Sequence, residues 1–125
     1  NALLDIMFNG GTQITTWYMG LIDGTGTQSF AAADVMNSHA GWTEHTAYTE
    51  ATRPEWTAGA AASQSITNAT PVTFTINAGG TVGGFFITSV DTKGGTTGTL
   101  WAGITFTDVP VVNTDTIKLT YTVNT

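Results

Sequence analysis

The stretch QITTWYMGLID, residues 13–23, decides the fold class of this sequence. From Trp17 to Ile22 it is apolar at nearly every position, and Gly20 is its one thin point. A strand with one face in water would alternate apolar and polar residues, so this stretch is expected to be covered on both faces. Its β-branched and aromatic residues favour a strand over a helix, and it is too short for a membrane-spanning helix. The sequence therefore predicts an interior strand against which later segments pack.

The last third of the chain reads as strands separated by turns. Val82–Val90 is apolar on both faces and is predicted to be central, whereas in three other stretches apolar residues recur at every second position. Short strands at even spacing predict an all-β fold, an antiparallel β-sandwich of jelly-roll or Ig-like type, in a single domain over residues 1–125. The apolar members of the alternating stretches are Val72, Phe74 and Ile76; Leu100, Ala102, Ile104 and Phe106; and Ile117, Leu119, Tyr121 and Val123.

One or two short helices are predicted near the N-terminus. Apolar residues at helical spacing before Gly10 predict a helix over Asn1–Asn9, within a helix or arm formed by residues 1–11. Ser29 is a good N-cap for a second helix over Phe30–Asn37, which contains three consecutive alanines.

The composition is poor in charge. Charged residues make up 10% of the 125 residues, against roughly 25% in ordinary soluble domains. Such depletion is typical of surfaces that are buried against partners, although extracellular β domains share it. The net charge of −6, with only Arg53, Lys93 and Lys118 positive, disfavours nucleic acid and anionic membranes as partners. The absence of cysteine excludes disulfides and thiolate metal sites.

Catalytic and metal-binding patterns are weak. His39, Glu44 and His45 lack the spacing of a helical metal motif, and adjacent residues on a strand point to opposite faces. The segment after Asp23 has too few carboxylates for a calcium loop, and the glycine pairs lack the order of a phosphate-binding loop. We therefore expect no enzyme activity, no metal and no cofactor.

The aromatic residues offer the best candidates for a contact surface. Trp17 and Trp101 lie in regular strand patterns and are predicted to be core residues. Trp42 and Trp56 lie in more polar surroundings and are interface candidates, together with the loop residues Lys93, Gly94 and Gly95.

Several motifs resemble small virion structural proteins of tailed bacteriophages. They are WYMGLID (17–23), SHAGWTE (38–44), RPEW (53–56), TKGGT (92–96) followed by LWA (100–102), and DTIKLTYTV (115–123), and together they span nearly the whole chain. The resembled proteins begin a few residues earlier, so we expect further residues before Asn1.

The resemblance implies a virion structural protein, and we expect a homo-oligomer that contacts other virion proteins such as the major capsid protein. The expected role is a capsid decoration or cement protein that stabilises the particle through protein–protein contacts. One alternative is a phage tail or fibre component that binds the host. A second alternative, from another class, is a secreted carbohydrate-binding or adhesion module that uses exposed tryptophan and tyrosine.

Overall fold

The computed structural model describes residues 8–124, which form an almost entirely β structure with antiparallel pairing. No helix in this part of the chain is long and apolar enough to cross a membrane. The strands are β1 (Trp17–Asp23), β2 (Glu44–His45), β3 (Glu55–Trp56), β4 (Ser65–Thr67), β5 (Val72–Thr75), β6 (Gly80–Thr88), β7 (Leu100–Val111), β8 (Thr116–Leu119) and β9 (Thr122–Asn124).

A five-stranded central sheet organises the molecule. Its order is β2-β1-β6-β7, and the short strand β3 pairs with β1 on the same edge as β2. Leu21 lies opposite His45 of β2, and Trp17 lies opposite Trp56 of β3. The other edge of β1 pairs with β6 along its length. The predictions that β1 and β6 are interior strands are therefore confirmed.

Both faces of the central sheet are covered by apolar side chains. Successive residues of a strand point to opposite faces, so Leu21 and Ile22 enter different clusters. The larger cluster contains Leu21, and strands β5 and β8 and the segments around β4 and β9 add side chains to it. The smaller cluster contains Ile22 and Phe86, and the segment between β1 and β2 covers it with Met36 and Trp42. Burial on both sides explains why residues 19–22 show no polar alternation.

Gly20 is required by this packing. A β-carbon at Gly20 would collide with the aromatic ring of Phe86, its cross-strand partner in β6. The missing side chain gives the ring room to cross β1 and reach Trp42, with the two ring centroids 5.0 Å apart. Gly20 thus marks the position at which the Phe86 ring of the smaller cluster lies against β1.

The helix prediction over Phe30–Asn37 is wrong, because this segment consists of turns. The carboxylate of Asp34 accepts hydrogen bonds from the Ala31 amide at 2.9 Å and from Trp42 Nε1 at 3.1 Å. The backbone of Val35 pairs with that of Ser38. These bonds replace those of a helix. The helix predicted over Asn1–Asn9 lies almost wholly outside the described residues, and its first seven residues cannot be compared.

Candidate functional site

A buried ion pair joins β2 to the segment before β3. Arg53 is only 1% exposed, and its guanidinium donates to both carboxylate oxygens of Glu44, from Nε at 2.9 Å and from a terminal nitrogen at 2.7 Å. The guanidinium carbon also lies 5.2 Å from the ring centroid of Phe86. Two-point pairing of this kind fixes orientation as well as charge.

The ion pair fixes the loop between β6 and β7. Arg53 donates to the carbonyl oxygens of Val90 at 2.8 Å and Gly95 at 2.9 Å. The amide of Gly94 donates to the same Glu44 carboxylate at 2.9 Å. One buried pair thus holds three points of a glycine-rich loop. The sequence patterns did not predict this network, although a single arginine in so weakly charged a chain was a usable signal.

Lys93 provides a second anchor for the same loop. Its ammonium group donates to the carbonyl oxygens of Tyr48 at 2.7 Å and Glu50 at 2.9 Å, and it lies 4.2 Å from the ring centroid of Tyr48. Burial of the Tyr48 hydroxyl raises its pKa, and the nearby charge of Glu44 adds to the effect. The phenol therefore stays neutral under the ammonium group.

The predicted interface residues of this loop are held in different environments. Lys93 is half-buried with its ammonium group directed to backbone oxygens, Gly95 is half-buried, and Gly94 is exposed. Gly94 has a φ of +75°, a conformation that glycine adopts without strain. The loop is thus a fixed surface feature, and its role in contacts stays a prediction.

The exposure of three tryptophans differs from expectation, whereas Trp17 packs against the larger core cluster as predicted. Trp42 is 4% exposed and Trp56 is 9% exposed, and each belongs to a core cluster. Trp101 is instead 39% exposed, and its ring centroid lies 5.9 Å from that of half-buried Trp17. A register shift between Ile87 and Thr88 inserts Trp101 as an extra residue and turns it toward Trp17. Local sequence polarity did not reveal either outcome.

A shallow depression of about 260 Å³ lies beside the ion pair. The ring of His39 stacks on Trp42 at a centroid distance of 3.8 Å, and its Nδ1 lies 2.9 Å from the carbonyl oxygen of Trp42. Since that oxygen only accepts, Nδ1 is the donor there. The residues that line the depression are Met36, His39, Trp42, Thr43, Glu44, Thr46, Gly94, Gly95 and Thr96.

The acidic and histidine side chains of the weak metal motif are separated. Glu44 faces Arg53, whereas the Nδ1 atom of His45 lies 3.7 Å from a carboxylate oxygen of Asp23. Within residues 8–124, no three His, Cys, Asp or Glu side chains come together in a way that could hold a metal ion. The Glu44 carboxylate is instead engaged by the Arg53 guanidinium and the Gly94 amide.

The outer part of β7 carries the exposed apolar side chains of the central sheet. Trp101, Ile104 and Val109 are 39%, 43% and 45% exposed, and Val112 follows just after the strand. Ile104 lies opposite Phe85 and Val109 lies opposite Val82, both members of the larger core cluster. Directly opposed residues share a face, so these side chains extend the larger core cluster to an exposed margin of the sheet. We call these four exposed side chains the rim of β7.

No protein-family model matches the sequence, and a search of curated proteins likewise finds no match.

Proposed function

We propose that this protein is a structural component of a tailed-bacteriophage virion, a homo-oligomer that acts as a capsid decoration or cement protein. Two kinds of observation support the proposal. The motifs that resemble small phage virion proteins extend over most of the chain. The apolar rim of β7 is the kind of surface that binds other proteins, and it is the observation that carries the proposal.

The proposed mechanism is the addition of buried contact area by a stiff body. The central sheet is packed on both faces, and the loop after β6 is fixed by Arg53 and Lys93. A stiff body loses little conformational entropy on binding. A standard interface buries about 1,600 Å². Repeated over many symmetry-related copies, such contacts with the major capsid protein would resist internal pressure.

The finer architecture is part of the same proposal. The central sheet faces the small sheets β5-β8 and β4-β9 across the larger core cluster, which supports an antiparallel β-sandwich of jelly-roll or Ig-like type. In such a fold the edge of one layer is free to meet a neighbour.

The proposal is tested by binding to particles. Purified protein is mixed with expanded heads from the same source after removal of the bound protein, and co-sedimentation and the temperature of head disruption are measured. We expect saturable binding and a higher disruption temperature. We expect Val109→Lys to weaken binding and Thr116→Lys, an exposed change on β8, to leave it intact. A wild-type protein that does not bind heads would refute the decoration role.

The carbohydrate-binding alternative has one structural observation in its favour. Trp101 presents a partly exposed ring next to Trp17, a platform on which a sugar could stack. A glycan-array signal that Trp101→Ala abolishes, with no binding to heads, would favour this module. Binding to host cells instead of heads would favour the tail or fibre role.

A further inference from the structure

Strand β7 leaves one edge of the central sheet open. The sheet order ends at β7, and no strand within residues 8–124 pairs with its outer edge. Alternate residues of an edge strand direct their backbone N–H and C=O groups away from the sheet. At 12 residues, β7 is also the longest strand described. Such an edge is a template for one more strand.

Most of the features that protect this edge lie in its C-terminal part. Natural edge strands are blunted by charges, proline or bulges. The C-terminal part of β7 has Asp108, Pro110 and a register shift between Thr105 and Val109, and one further bulge lies at Trp101 near the other end. Leu100–Thr107 has neither a charge nor a proline. At about 3.3 Å per residue, that open part is about 26 Å long.

We propose that the outer edge of β7 binds the same edge of a second copy of this chain, in antiparallel pairing. Charge is the argument for this occupant. Each copy carries a net charge of −6, so contact between two copies costs the least electrostatic repulsion where the surfaces that meet carry no charge. Leu100–Thr107 is such a surface, and it offers no charged group with which a basic or an acidic partner would pair.

The side chains of this segment also complement themselves. A two-fold axis near Gly103 places Ala102 of each copy opposite Ile104 of the other, so a small residue meets a large one. In this register the two Asp108 side chains are about ten residues apart, roughly 33 Å along the strands. The exposed parts of Ile104 and Trp101 become covered, so the larger core cluster is no longer open to solvent at this edge.

The pairing is tested by sedimentation velocity of the full chain from about 5 to 500 μM, a range chosen from the size of the contact. One strand pair is smaller than a standard interface of about 1,600 Å², so a dissociation constant in the micromolar range is expected. We expect a monomer–dimer equilibrium that becomes tighter in about 0.5 M NaCl, because salt screens the repulsion of two acidic copies. A protein that stays monomeric, or whose association is weakened by salt, overturns the proposal.

Matched variants locate the contact. Ile104→Lys places a charge on the paired edge and is expected to raise the dissociation constant at least tenfold, as is Trp101→Thr. Val112→Lys adds the same charge at a more exposed position just beyond the strand and is expected to change it less than twofold. Equal effects of Ile104→Lys and Val112→Lys, or none from Trp101→Thr, would overturn the proposal.

The inference rests on the self-association in the proposed function and not on a virion location. Dimers that persist unchanged in Ile104→Lys would refute the β7 contact and leave the decoration role standing. Dimers that form through β7, in a protein that does not bind heads, would support the β7 contact and refute the decoration role.

Discussion

Strands β6 and β7 are antiparallel neighbours with opposite environments. Every residue of β6 from Val82 to Thr88 is buried, whereas Val111 is the only buried residue of β7. Both strands are rich in apolar residues, so composition does not explain the contrast. The cause is position, because β6 has β1 on its other side and a cluster on each face, while β7 ends the sheet. The β6 side of this pair is therefore covered within the chain, and we call it the closed side of the central sheet. The outer edge of β7 is not covered, and we call it the open side.

The largest expected loss of stability comes from breaking the buried Arg53–Glu44 ion pair on the closed side. Arg53→Ala leaves the Glu44 carboxylate without its partner in a buried setting, which typically costs about 3–5 kcal/mol. The free energy of unfolding from urea titration measures the loss. Arg53→Met combined with Glu44→Gln removes both charges and should recover more than half of it. A double variant as unstable as Arg53→Ala would show that the unpaired charge is not the cause.

A matched pair of isoleucines compares the two strands directly. Ile87 of β6 is 2% exposed, so Ile87→Ala should lower the free energy of unfolding by about 2–5 kcal/mol. Ile104 of β7 is 43% exposed, so Ile104→Ala should cost below about 1 kcal/mol in the monomer at low concentration. Equal losses in urea titrations of the two variants would mean that β7 is as well covered within the chain as β6.

A glycine pair probes the seam between the strands. A β-carbon at Gly84 would collide with the carbonyl oxygen of Ile104, so Gly84→Ala must push β7 away from β6. Overpacking of this kind costs about 1–3 kcal/mol. A β-carbon at Gly79 would lie 3.7 Å from its nearest neighbour, the carbonyl oxygen of Val111, so Gly79→Ala should leave the stability nearly unchanged. Thermal unfolding of both variants checks the prediction, which fails if their midpoints coincide.

The smallest effect is a pH dependence at the end of β1. Burial tends to raise the pKa of Asp23, but hydrogen bonds from the hydroxyl and amide of Thr25 and the neighbouring His45 outweigh it, so the pKa lies below its ordinary value of 3.8. The stabilisation is therefore complete above the pKa of the unfolded chain and is lost as the pH falls through the folded pKa. In urea titrations from about pH 6 to 2.5, Asp23→Asn should lose less stability on acidification than the wild type. Thr27→Ala, an exposed neighbour, should follow the wild-type curve.

The sequence predicted the closed side well, because burial on both faces has a local signature. Residues 19–22 and 82–88 lack polar alternation, and both are interior. The alternation of Val72, Phe74 and Ile76 likewise predicted the buried face of β5 and its flank.

The open side and the ion pair could not be predicted in the same way. Whether a strand lies at an edge depends on which segments pair with it, and this is not encoded in its own residues. Ile104 and Phe106 alternate as buried residues would, yet Ile104 is at a rim. The Arg53–Glu44 pair joins residues nine apart, one in β2 and one in the segment before β3. The exposure of Trp101 depends on one register shift, and the loss of the Phe30–Asn37 helix depends on the side chain of Asp34.

Residue-resolved hydrogen exchange of the backbone amides in β6 and β7, at a low and a high protein concentration, examines the open edge itself. We expect the β6 amides to be strongly protected at both concentrations, because both of their neighbouring strands lie within the chain. Amides of Leu100–Thr105 that point outward should exchange quickly in the dilute protein and slowly in the concentrated one. Protection of these β7 amides that is equally strong at both concentrations would contradict an edge that is open in the monomer.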